Sequence, residues 1–312
     1  MKVAQTKVYA TPSKFTNNFM KLSKINPHYL AGITCFSIWG FLPIVIKSLA
    51  GYASPQILYF RVTFAFIILL AISLTVRKKS LLENLEKFKA LDKNLRTKNS
   101  LLIVFSGILL AVNWLVFIFI VNNVGVQAGT FAYLICPIET ALLGYLILRE
   151  KLSPKQWIAI GLSSVACVML GQDSLPNLGY VLLTSSTYAL FLITQRRIFQ
   201  FDKMTLLMVQ LAVACIIILP LYSFFNPNLE KLDSFFFGMI LLLAVVFTII
   251  PLFLNMFALK ELTSASVAIL MYINPILNFI LAILVYQEVV TLFQSVAYLL
   301  IASAVLLNIL NK

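Results

Sequence analysis

The chain is short of charge. Acidic and basic residues together fill 11% of its 312 positions while 61% are hydrophobic, against roughly 25% charged and 45–50% apolar in a soluble domain. Its mean hydropathy is +0.96. So little polar surface cannot coat a water-soluble globule, so the chain reads as an integral membrane protein whose first partner is the lipid bilayer. Histidine is scarcer still: His28 stands alone, at the edge of the first apolar run. No HExxH cluster, no serine with a histidine partner and no paired intramembrane carboxylates can be assembled, which sets a membrane enzyme aside. No metal site and no cofactor is expected. The four cysteines, Cys35, Cys136, Cys167 and Cys215, lie inside apolar runs without CxxC spacing and read as small buried residues. A GxxxxGK[ST] phosphate loop is missing too, which excludes a nucleotide-driven pump. The first residues carry five lysines but no short apolar core followed by a small-residue cleavage site. They read as a basic cytosolic tail over 1–28.

What the chain has in abundance is long apolar runs. Ten can be marked, near 29–50, 55–76, 100–121, 126–148, 154–171, 177–194, 204–223, 234–256, 263–286 and 291–311. Most approach the roughly 20 residues that cross a bilayer as a helix. Because lipid offers backbone groups no hydrogen bonds, each must be a helix or a strand of a closed barrel; the runs are continuous, not alternating, so helices are expected. Lys and Arg fix an orientation. Five lie in the tail, eight in 77–99, three in 149–155 and three in 196–203, with Lys260 and Lys312 on the same side when the N-terminus is inside. Only Lys231 falls on the other side, while Lys47 and Arg61 lie within helices. The expectation is an N-in, C-in protein of the cell inner membrane. The net charge of +13 is then a topology signal, with no basic patch left to recruit nucleic acid.

A repeat organises these runs. Gln127 to Lys155 returns, 138 positions later, as Ala265 to Val289: Pro137 maps onto Pro275, Cys136 onto Asn274, Glu150 onto Glu288, and upstream Asn113 onto Pro251. At an offset of 149, Ser37 to Lys47 aligns with Ser186 to Arg196, pairing Trp39 with Tyr188 and Lys47 with Arg196. Five helices per copy reverse direction from one copy to the next. The expected fold is all-α, ten transmembrane helices in two inverted five-helix repeats, 29–171 and 172–312. The 77–99 insertion, with Leu82, Leu85, Phe88 and Leu91 among charges, reads either as a surface helix on anionic lipid or as a solvated basic linker.

These residues resemble a known family. The inverted five-plus-five arrangement is similar to the EamA-type drug/metabolite transporter superfamily, and four stretches resemble its RarD branch: Ile38 to Pro43 with Lys47, Gln56 to Val62, Asn113 to Asn123, and Tyr133 to Glu150. The resemblance covers nearly everything beyond the tail. It implies a permease with a central cavity between the halves. Relatives in the wider superfamily move amino acids, nucleotide-linked compounds, S-adenosylmethionine or drugs. Cys136, where the branch usually has Asn, and Glu139 depart from its pattern.

An inverted-repeat transporter needs a polar site near the midplane. Pro137 and Pro275 each remove a backbone hydrogen bond there, as hinges or as packing kinks. Helical spacing puts Tyr133, Cys136, Thr140 and Gly144 on one face and Asn274 with Asn278 on another, faces that either line a cavity or fasten helices. Glu139 is the one acid at mid-membrane depth and is open to two roles, a proton-coupling carboxylate or a contact to a neighbouring helix. Arg61 lies too deep for an interfacial anchor, while Lys47 and Arg196 sit at opposite mouths. Trp39, Asn113, Trp114 and Tyr188 complete the candidate pathway for a small-molecule substrate. The function expected is a secondary transporter of drugs or metabolites, an exporter, with an importer of an amino acid derivative or S-adenosylmethionine as the alternative. A receptor or scaffold would leave the paired prolines unexplained, and nothing in the pattern supports or excludes a homodimer.

Overall fold

The computed structural model describes residues 26–124, 126–171, 177–198, 200–222, 232–285, 287 and 290–309, with backbone alone at 121, 122 and 126–128. The tail before residue 26, the Asn122 side chain, Lys231, Glu288 and Lys312 lie outside the described residues.

The described chain is helical: α1 (Pro27–Gly40), α2 (Leu42–Ser48), α3 (Ser54–Leu74), α4 (Lys78–Lys89), α5 (Lys93–Asn123), α6 (Val126–Leu148), α7 (Pro154–Leu170), α8 (Leu178–Arg197), α9 (Lys203–Leu221), α10 (Ser234–Ala244), α11 (Ile250–Glu261), α12 (Ser264–Leu270), α13 (Ile273–Leu284) and α14 (Leu292–Ile309). Polar side chains start many of them. Asn26, Ser153, Asp202, Asp233 and Thr263 each accept a backbone N–H of the first turn, and Ser153 with Gln156 forms a full capping box. Asp233 also accepts the Tyr52 hydroxyl at 2.8 Å. The Phe236 N–H and that hydroxyl hold its carboxyl below the usual carboxylate range.

Nine stretches among the described residues are long and apolar enough to cross a membrane. The remaining expected span, α7, has 17 residues, at the lower end of the roughly 17–25 that cross a bilayer as a helix. By length and composition the described residues hold nine full-length spans, with α7 the shorter apolar helix at the fifth expected position, packed along α14.

Three spans are interrupted. The first breaks at Phe41, ahead of Pro43. The eighth passes through a π turn, Val245–Ile249, ahead of Pro251. The ninth breaks at Met271 and Tyr272, ahead of Pro275. Pro137, the repeat partner of Pro275, sits inside an unbroken α6. The prolines thus match in sequence and differ in backbone.

The packing partners obey the repeat. The first span lies against α11 and α13 of the second half, and its counterpart α8 lies against α5 and α6 of the first. Self-related pairs close the bundle, α3 on α9, α6 on α12 and α7 on α14. The backbone agrees at the repeated hairpin: Arg149 and Gln287, 138 positions apart, share a left-handed φ of 55° and 52°. The 77–99 insertion forms the helix α4. Arg77 pairs with Asp202 at 2.8 Å, Asn84 accepts the Asp202 N–H, and the rings of Phe88 and Phe201 meet at 5.8 Å, so the insertion clamps onto the second half.

Close helix approach decides the α5–α9 seam. Gln210 donates to Ser106 at 2.7 Å, and a Cβ at Gly107 would stand 2.7 Å from Cβ of Val213 and 3.0 Å from the Gln210 carbonyl. Small residues at such crossings let backbones meet in lipid. Gly107→Ala should therefore destabilise the protein by about 1–3 kcal/mol, and the same change should cost less in a Val213→Gly background, where the facing Cβ is gone. Thermal unfolding in detergent checks both; a Gly107→Ala variant as stable as the parent contradicts the seam's tightness.

Candidate functional site

Where the interrupted spans meet, a cavity forms. Its inner lobe, about 130 Å³, is lined by residues of the first span, α3, α5, α6, α8, the π turn and the ninth-span break. A second lobe of about 290 Å³ extends toward the end of α2 and the start of α3. Trp39, Arg61, Trp114, Tyr133, Asn274 and Pro275 line both lobes.

The local chemistry follows from the broken backbone. Pro251 has no N–H to give the carbonyl four residues earlier, and that carbonyl, of Phe247, accepts the Trp39 indole N–H at 2.9 Å. Trp39 is thereby fixed across the interface between halves. Its ring meets Tyr188, its repeat partner, edge-on at 6.2 Å, and Tyr188 meets Tyr133 in the same way at 6.2 Å. Asn255 donates to the Tyr188 hydroxyl at 3.0 Å. Asn113 is buried; it donates to the Thr184 carbonyl at 2.8 Å and accepts the Tyr133 hydroxyl at 3.2 Å. A tryptophan and two tyrosines thus form one aromatic wall, each polar tip tied to a neighbour.

Arg61 lines the same cavity. Its guanidinium lies 5.1 Å from the Trp114 ring centroid, in cation–π range. Asn278 donates to Asn274 at 3.0 Å, and both asparagines reach the cavity.

Two predicted lining residues are elsewhere. Cys136 and Thr140 are fully buried outside the lining, Thr140 donating to the Cys136 carbonyl at 2.8 Å. Their face of α6 is covered because α6 packs along α8 and α12. Their repeat equivalents, Asn274 and Asn278, do line the cavity, so related positions occupy unlike environments. Glu139 is half-buried outside the lining and accepts the Ser186 hydroxyl of α8 at 3.1 Å. Pro275 lines the cavity and Pro137 does not. Lys47 sits in the last turn of α2, next to Ile46 of the wider lobe.

Arg196 is no open-mouth charge. It meets Glu150 at 3.3 Å and donates to the carbonyls of Leu259 and Lys260 at 2.8 and 2.9 Å. Glu150 in turn accepts the Ser264 N–H at 2.8 Å, at the start of α12. A Cβ at Gly144 would stand 3.0 Å from Glu150 Oε2, so the glycine makes room for the carboxylate. This network draws together the ends of α6, α8, α11 and α12 and seals the bundle at the end opposite the wider lobe.

Several lining residues escaped the sequence: Phe36, Phe117, Phe247, Thr248 and Leu252. Pro251, within an apolar run, was the available signal for those on the eighth span; nothing marked Phe117 out from neighbouring aromatics.

The sealed end yields a prediction. Charge-assisted hydrogen bonds contribute about 1.5–3 kcal/mol, so Glu150→Gln and Arg196→Gln should each destabilise the protein within that range. A double-mutant cycle by chemical or thermal unfolding should show coupling. Strict additivity would contradict the network.

Comparisons with known proteins point the same way. The model of the EamA-like transporter family matches residues 26–172 and again 176–310. The chain is 28% identical to an uncharacterized transporter of Vibrio cholerae serotype O1 over 288 residues, 89% of this chain and 90% of that one. It is 27% identical to the uncharacterized transporter YojE of Bacillus subtilis over 87% and 90%, and 28% identical to the protein RarD of Salmonella typhi over 83% and 86%. One solved crystal structure superposes with a TM-score of 0.71 at 13% identity, over 90% of this chain and 95% of its own, a likeness of fold alone. With both halves matching one family model, and relatives bearing transporter and RarD names, this multi-pass membrane protein belongs to the EamA-like transporter family.

Proposed function

We propose that the chain is a secondary-active permease of the cell inner membrane, exporting small organic molecules by alternating access between its inverted repeats. The observation that carries this reading is a cavity between the halves, widening toward one end and sealed at the other by Glu150 and Arg196. Lys and Arg favour the cytoplasmic side, which supports assigning the sealed end, with Arg149, Lys151, Arg196, Arg197 and Lys260, to the cytosol. The state described is then open outward.

Alternating access in an inverted repeat is an exchange of conformations between copies. Asn274 and Asn278 line the cavity while Cys136 and Thr140 are packed away. Exchange would reverse those environments, open the sealed end and close the other. The unlike backbones at Pro137 and Pro275 support this, since one ninth-span break and one continuous α6 are what swapped copies would trade.

Glu139 supports a coupling role less well. Its carboxylate faces α8 through Ser186, away from the cavity, and fastens two helices.

Counterflow in proteoliposomes tests the reading, using amino acids, nucleotides, S-adenosylmethionine and organic acids, each with and without ΔpH. Saturable exchange of at least one class is expected, and any ΔpH-driven component should persist in Glu139→Gln. Absence of saturable exchange for every class contradicts the permease reading.

A further inference from the structure

We propose that the cavity takes a small organic monoanion, a carboxylate carried on an aromatic or otherwise apolar body, with Arg61 as the residue that receives the carboxylate. The inference rests on the permease reading and adds the substrate class.

Charge accounting carries it. Among the described residues that line the two lobes, Arg61 is the single charged side chain. No carboxylate of a described residue lies within ion-pair distance of it, and none of its N–H groups donates to a described residue. Glu139, the other mid-span charge, is spent on Ser186. A guanidinium drawn into a low-dielectric bundle normally has a carboxylate, a phosphate or a set of carbonyls around it. Here it has the face of Trp114, which offsets part of the charge and leaves the planar donor fork without an acceptor. The missing counter-charge fits a ligand that brings one.

The rest of the lining narrows the class. A single cation balances one negative charge, whereas a phosphate monoester or nucleotide would bring two or more with no lysine or second arginine in the lining to meet them. A zwitterion or a sulfonium would add a positive charge beside Arg61 with no acid in the lining to receive it. Asn274, whose carbonyl is occupied by Asn278, has an amide N–H₂ that donates to no described residue, a second donor for a carboxylate oxygen. Trp39, Trp114, Phe117 and Tyr133 line both lobes, so the ligand's body meets aromatic surface. At about 130 and 290 Å³, each lobe lies below the ligand-pocket range of roughly 300–1,000 Å³, which favours a small ligand.

The test uses one ring in four charge states: phenylacetate, phenylacetamide, phenethylamine and phenylalanine. Binding to purified full-length protein is followed by titration calorimetry and by ligand-induced rise in unfolding temperature. Phenylacetate should bind at least tenfold more tightly than the other three. Arg61→Gln should lose that preference while keeping the weak binding of phenylacetamide, and Arg61→Lys should retain part of it. If Arg61→Gln fails to fold, Asn274→Ala in the folded protein serves instead and should weaken phenylacetate more than phenylacetamide. Equal binding of phenylacetate and phenylacetamide, no binding of phenylacetate, or a preference for the amine or the amino acid overturns the proposal. So does an unchanged carboxylate preference in folded Arg61→Gln. Parallel counterflow separates the two readings: carboxylate binding without flux of any solute sinks the permease and leaves the ligand class standing. Flux of a neutral or cationic solute that Arg61→Gln leaves unchanged does the opposite.

Discussion

Inside a bilayer every backbone polar group must find a partner or face water, and that constraint gathers this protein's irregular backbone in one place. The turn at Phe41, the π turn at Val245–Ile249 and the break at Met271 and Tyr272 all border the cavity or supply its lining through Leu42, Phe247, Thr248 and Met271. Carbonyls nearby are answered by side chains from the opposite half: Phe247 by Trp39, Pro251 by the Cys35 thiol at 3.1 Å, Thr184 by Asn113, and Leu134 by the Tyr272 hydroxyl at 3.0 Å. All four bonds join the repeats, and the one from Trp39 also answers the carbonyl that Pro251 leaves free.

That arrangement explains how one apolar bundle holds a charged residue. Arg61 occurs where the broken spans leave space, and Trp114 supplies a face instead of a counter-ion. The sealed end handles charge differently, pairing Arg196 with Glu150 and with the carbonyls closing α11. One arginine is satisfied by protein and holds four helix ends together. The other is left to the cavity.

Much of this was legible in the sequence because lipid imposes simple rules. Continuous apolar runs gave the spans, and a repeat offset of 138 foretold a relation that reappears in the left-handed pair Arg149 and Gln287. The alignment of Trp39 with Tyr188 turned into physical contact. What could not be read was which face of each helix is covered. A helix that is apolar all round carries no directional stripe, so the α6 spacing that grouped Tyr133 with Cys136 and Thr140 could not say that only Tyr133 reaches the cavity. Equal prolines likewise gave no hint of unequal backbones, since what distinguishes Pro137 from Pro275 is the packing around them.

The central claim is that the two halves exchange conformations. Its most direct measurement is maleimide labelling of two single-cysteine proteins, one keeping Cys136 with Cys35, Cys167 and Cys215 replaced, the other carrying Asn274→Cys with all four cysteines replaced. Each is compared with and without Glu150→Gln to loosen the sealed end. Exchange predicts reciprocal change: Cys136, fully buried in the state described, labels faster while position 274 labels more slowly. Faster labelling at both positions, or no change at either, would contradict it.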